Sequence, residues 1–291
     1  MRECSDTSSI LYKAINQMIS EILNNPVMQS GIVPFCVAAI TAKLLGYFRL
    51  SGLAVIAGFS ATVFLISDFD FGNLSVVKKI ILSGLVAATL APMLDLLLGK
   101  EQLRRYVIMT GCAGVTLWVF DAVLQYRDIN EMVLYSFGMI GFIVLLSLLM
   151  DNLSLKPIRA GAAGMGLGLG VGFSAGLSSS ALLGQLGLSV GMAACAYVLI
   201  HLLGRQLLPC GRTFTLPLSL LSGLIALAAV MLAKLHWLYL PILFIIPAIA
   251  HASLSPQWSL RTQIVVLSLL TLISGAIPVL LILHDTGGLQ V

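Results

Sequence analysis

Apolar residues run along this chain in blocks of about twenty, with short polar stretches between them. The blocks cover residues 29–47, 50–67, 79–98, 104–125, 132–150, 158–177, 181–203, 214–233, 237–253 and 262–283. That is the length an α-helix needs to cross about 30 Å of hydrocarbon, where each segment has to satisfy its own backbone amides. The pattern predicts an all-α integral membrane protein, a polytopic bundle of about ten transmembrane helices. The boundary between the sixth and seventh rests on Ser178-Ser179-Ser180, since no charge falls there and the combined run is too long for one crossing.

The start of the chain is patterned differently. Ile10, Leu11, Ile15, Met18, Ile19 and Ile22 fall at helical spacing, while Lys13, Asn16 and Glu21 take other faces. This spacing predicts an amphipathic helix in residues 1–28 that lies in the membrane interface or docks on a partner, ending at Asn24-Asn25-Pro26. It lacks the long apolar core and small-residue cleavage site of a signal peptide. A first membrane half then spans 29–150 and a second 151–291, with connections too short for a soluble domain.

The second half opens on a glycine ladder. Gly164, Gly168, Gly172, Gly176, Ser180 and Gly184 recur every four residues, and Gly166 with Gly170 forms a second row. In water each helical glycine costs roughly 1 kcal/mol against alanine. In a bilayer a ridge of small residues lets a neighbouring backbone approach closely, so this stretch is expected to be the packing centre of the bundle.

Composition agrees with the pattern. The 291 residues are 59% hydrophobic and 10% charged, far below the quarter or so of charged residues in a soluble domain. The net charge of +4 does not point to nucleic acid, because no block of like charge occurs. The cysteines (Cys4, Cys36, Cys112, Cys195, Cys210) show no zinc or redox spacing. Loop charge is asymmetric. One side collects Lys43, Arg49, Lys100, Arg104, Arg105, Lys156, Arg159, Arg205, Arg212 and Arg261, against six basic residues on the other. The positive-inside rule then predicts a bacterial inner-membrane protein with both termini on the periplasmic side.

Two segments echo each other. Gly52-Leu53-Ala54-Val55 matches Gly187-Leu188-Ser189-Val190, and Leu82-Ser83-Gly84-Leu85 matches Leu221-Ser222-Gly223-Leu224 in the following span of each half. Five helices per half would invert one half against the other, the plan of many secondary transporters. At the level of architecture alone this resembles the five-plus-five transporter superfamilies, such as the bile-acid/auxin carriers and the drug/metabolite exporters. No signature motif of either occurs, so no residue role is carried over.

Candidate chemistry is sparse. Asp95 and Asp121 are the strongest acidic candidates for contact with a substrate or ion, each near a span end, and Pro92 precedes Asp95. The ninth span carries Pro241 and Pro247 ahead of His251, which predicts a kinked or broken helix. Ser174, Ser178, Ser179 and Ser180 are hydroxyls that would line a solute path or bond neighbouring helices. Gly172-Phe173-Ser174-Ala175-Gly176 fits a GxSxG string, but the nucleophile elbow needs a strand-to-helix turn. A Ser174–His251 dyad would resemble the rhomboid proteases, yet Ala175 stands where their motif needs glycine. No enzyme activity, metal or cofactor is expected. The sequence is read as a carrier of a small neutral, zwitterionic or lipid-like solute, or else as a non-catalytic subunit of a membrane complex. The lipid bilayer is the sure partner, with a solute, a second copy or another membrane protein as the candidate others.

Overall fold

The computed structural model describes residues 25–47, 50–66, 74–97, 100–178, 180–204, 208–233, 235–252, 254 and 257–285. The regular structure among them is helical throughout. In chain order the helices are α1 (Met28–Gly46), α2 (Ser51–Ile66), α3 (Val76–Leu97), α4 (Glu101–Leu124), α5 (Ile129–Asp151), α6 (Pro157–Leu177), α7 (Ala181–Leu203), α8 (Gly211–Leu232), α9 (Tyr239–His251) and α10 (Leu260–Asp285). Each apolar block of the sequence holds one of them, with ends shifted by a turn or less. Eight are long and apolar enough to cross a membrane, while α2 and α9 are shorter than that. The protein is therefore a multi-pass helical membrane protein. Of the expected N-terminal interfacial helix, residues 1–24 lie outside the described residues, and α1 has begun by Met28.

Local sequence explains the irregular points. Pro34 offers no N–H to the carbonyl of Ser30, and α1 opens with a wide π turn over Met28–Ile32. The carbonyl of Gln29 in that turn instead accepts from Thr62 of α2, at 2.8 Å. α9 is interrupted at Phe244, between its two prolines, into Tyr239–Leu243 and Ile245–His251. Phe244 N–H falls back on the carbonyl of Pro241, one residue nearer than an α-helix would use. Between α6 and α7 the serine-rich turn is real: Ser180 caps α7 by accepting from the N–H of Leu183, at 3.3 Å.

Two helices form the interior. α8 is buried along almost its whole length, and α6 along most of its own. Around α6 lie α7, α10, α8 and α9; around α8 lie α3, α5, α2, α6 and α7. The outer faces of α4, α5 and α10 expose large apolar side chains such as Leu134, Phe137 and Ile273, the surface that lipid covers. α6 meets two neighbours at backbone distance. A Cβ on Gly168 would run into the backbone of Gly191 on α7, and one on Gly172 into Leu188. On the opposite side Gly166 and Gly170 lie against Thr271 and Gly275 of α10. With no side chains between the axes, dispersion contact replaces the hydrophobic force that lipid cannot supply.

The paired segments of the suspected repeat have unlike surroundings. Gly52 sits under Thr213 and Phe214, whereas Gly187 faces Gly172. Gly84 meets Leu221 of α8, whereas Gly223 meets Ile143 of α5.

Candidate functional site

One face of α8 carries Arg212, Thr215, Ser219 and Ser222, spaced by three, four and three residues. At 100° per residue these positions share a stripe, and by the helical rise the stripe is about 15 Å long, half of the hydrocarbon thickness. All four are buried. α8 thus lays a polar seam inside an apolar bundle.

Its head is a cluster of charges. Gly211, at φ 60°, turns the chain into α8 in a conformation that L side chains rarely adopt, and Arg212 follows. The Arg212 guanidinium lies 2.6 Å from Asp95 Oδ1, at the end of α3, and donates a hydrogen bond to it. Its Nε also lies 2.6 Å from Asp151 Oδ1, at the end of α5. That second approach is short but poorly directed for hydrogen bonding, so charge holds it together with the 3.4 Å bond from Nη2 to Asp151 Oδ2. Arg104 of α4 stands 3.8 Å from Asp95. Two cations and two carboxylates therefore balance where α3, α4, α5 and α8 converge. Only 10% of the Arg212 side chain and 6% of the Asp151 side chain are exposed, so neither charge would be tolerable alone.

Below the cluster the seam is uncharged. Ser219 Oγ lies 3.4 Å from Ser147 Oγ of α5, and Cys112 of α4 donates to the same Ser147 at 3.5 Å. One turn deeper, Ser222 Oγ is fully buried and has no hydrogen-bond partner among the described residues. A further turn along α8, Ala226 and Ala229 line a small cavity beside Ser174 of α6, whose Oγ is also buried and unpartnered. Each such orphan hydroxyl costs about 1–3 kcal/mol. The loop leading into α8 is pinned as well. Cys210 donates its thiol proton to the carbonyl of Ser154 at 2.7 Å, and burial pushes that thiol up to about 12.

The candidates from the sequence are scattered across this arrangement. Asp95 belongs to the charge cluster. Asp121 does not: it is exposed on α4 and accepts from Gln125 at 2.8 Å. Ser178 bonds back to the carbonyl of Ala175, Ser180 caps α7, and Ser179 lies outside the described residues. Pro241 is exposed, while Pro247 is buried and its carbonyl is bonded to His251 Nδ1 at 2.8 Å. Arg159, at the start of α6, donates to the backbone carbonyl of His251. His251 is therefore placed roughly 22 Å of helix from Ser174, and the two cannot form a dyad. Of the packing glycines, Gly164 faces Leu218 of α8, Gly168 and Gly172 face α7, and Gly176 faces Gly184.

Asp151, Ser147 and Ser219 were not among the residues the sequence singled out, and Arg212 and Ser222 entered only as a loop charge and as part of the repeat. The signal was available in the three-four-three spacing on α8 and in four charges at same-side span ends. A second feature lies on the far side of α7. An apolar groove of about 510 Å³ runs between α1, α6 and α7, walled by Val27, Ile32, Phe173, Leu188 and Met192. Among the described residues no group of His, Cys, Asp or Glu side chains could hold a metal ion. No protein-family model matches the chain, and no curated protein is significantly similar to it in sequence.

Proposed function

We propose that this protein is a carrier of the secondary-transporter type for a small neutral or zwitterionic solute, and that the solute moves along the buried polar face of α8. The observation that carries this reading is the charge-balanced head formed by Arg104, Arg212, Asp95 and Asp151 above an uncharged hydroxyl seam. A zwitterion finds both a cation and a carboxylate there, and a net ionic charge finds no compensation further in. The orphan hydroxyls of Ser222 and Ser174 are groups a passing polar solute would satisfy. By the positive-inside rule the cluster end faces the cytoplasm of a bacterial inner membrane.

The test is a thermal-shift screen of neutral and zwitterionic solutes, followed by uptake into proteoliposomes. Ser219→Ala removes the hydroxyl without adding an atom at this fully buried position and should cut uptake about tenfold, the worth of one hydrogen bond. Uptake that Ser219→Ala leaves untouched would remove α8 as the path.

The apolar groove favours a second reading, in which the protein is an integral subunit that docks another membrane protein, or in which the solute is lipid-like. Gly31 lines that groove, and a Cβ placed there meets nothing within 4 Å. Gly31→Trp would therefore fill the groove without disturbing the backbone. Native mass spectrometry from mildly solubilised membranes then decides: a stoichiometric protein released by Gly31→Trp replaces the carrier reading.

A further inference from the structure

We propose that the cleft between the ends of α1 and α7 is a binding site for a phospholipid with an anionic headgroup. The cleft holds about 740 Å³ and lies at the same end of the bundle as the charge cluster. Ile200, Leu203 and Leu208 give it apolar walls, and Lys43 and Tyr47 stand at it. Apolar walls beside one cation and one phenol, at the level where membrane helices end, match an acyl chain joined to a charged head.

Charge decides which head. Lys43 is exposed in the last turn of α1, where the helix dipole favours a cation. The described acidic groups of this end are engaged elsewhere, Asp95 and Asp151 with Arg212 and Glu101 with Arg105. Among the described residues the Lys43 ammonium therefore remains uncompensated, beside an end that also carries Lys100, Lys156, Arg159 and Arg261. In the sequence, Arg49 and Arg205 closely follow the lining residues Tyr47 and Gly204. A zwitterionic head would bring its own cation into this field, whereas an anionic phosphodiester brings only the complement. The site is independent of what the bundle transports.

The test uses the full chain, delipidated in detergent and titrated by native mass spectrometry with phosphatidylglycerol and phosphatidylcholine of the same acyl chains. The first phosphatidylglycerol should bind about tenfold more tightly than phosphatidylcholine. Lys43→Gln should reduce that preference about fivefold, while Lys156→Gln, exposed at the same end but outside the cleft, leaves it unchanged. Leu203→Glu, at an exposed wall position, should abolish the preference without unfolding the protein. Equal binding of the two lipids overturns the proposal. So does an equal loss from both lysine variants, which would assign the preference to the diffuse charge of the whole end.

Discussion

Arg212 carries the charge that balances the buried Asp151. Arg212→Met would strand Asp151, almost fully buried, without its counter-charge, and should cost about 3–5 kcal/mol in denaturant unfolding. Arg105→Gln breaks an exposed pair with Glu101 and should change stability by about 0.5 kcal/mol or less in the same assay. Equal effects from the two would show that the cluster is not what holds this end of the bundle. Cys210 makes a pH-dependent prediction. Its thiol titrates near 8.5 in an unfolded chain and near 12 in the folded one, so from about pH 8.5 upward only the unfolded state sheds the proton. Stability is full below that pH and falls as pH rises towards 12. The folded protein should also leave Cys210 unlabelled by a maleimide at pH 8, as peptide mapping would report.

At the scale of the helices, the same substitution should act in opposite directions on two glycine sets. Gly168→Ala and Gly172→Ala push α6 off the backbone of α7, and each should destabilise by about 2 kcal/mol or more. Gly111→Ala and Gly114→Ala sit on the open face of α4, where a Cβ meets nothing within 4 Å, and each should gain up to about 1 kcal/mol of helix propensity. Thermal melts in one detergent compare the two sets directly. These elements were also the most legible part of the sequence. Apolar length fixed where the helices run, Pro241 and Pro247 marked the interruption at Phe244, and Ser178-Ser179-Ser180 marked the turn before α7. The ladder spacing picked out a face of α6, but no local pattern told which helix would lie on it. The charge cluster was hidden for a related reason. Arg212 is 61 positions from Asp151 and 117 from Asp95, and only packing brings such distant span ends together.

At the scale of the whole molecule, the hydrogen bonds that link distant helix ends among the described residues gather mostly at one end. Besides the charge cluster, Tyr197 donates to the carbonyl of Leu208, His201 bonds that residue's backbone, and Ser51 donates to the carbonyl of Pro209. Those bonds tie α2, α7 and the entry to α8 together, as the ion pairs tie α3, α4, α5 and α8. Hydrogen exchange in detergent should find α6 and α8 the slowest segments and α4 faster, because fewer packing contacts with other helices resist its local opening. Comparable rates in α4 and α8 would contradict that ranking.

The backbone contacts of α6 also determine which motions the bundle can make. Side chains can shear past one another by changing rotamer, but a glycine notch seated on a peptide plane has nothing to rotate. Gly168 on Gly191 and Gly170 on Gly275 act like the teeth of two racks engaged on opposite sides of one bar. Lengthwise sliding of α6 against either neighbour would drive peptide groups through each other before a new register was reached. α6, α7 and α10 therefore move together as a single slab.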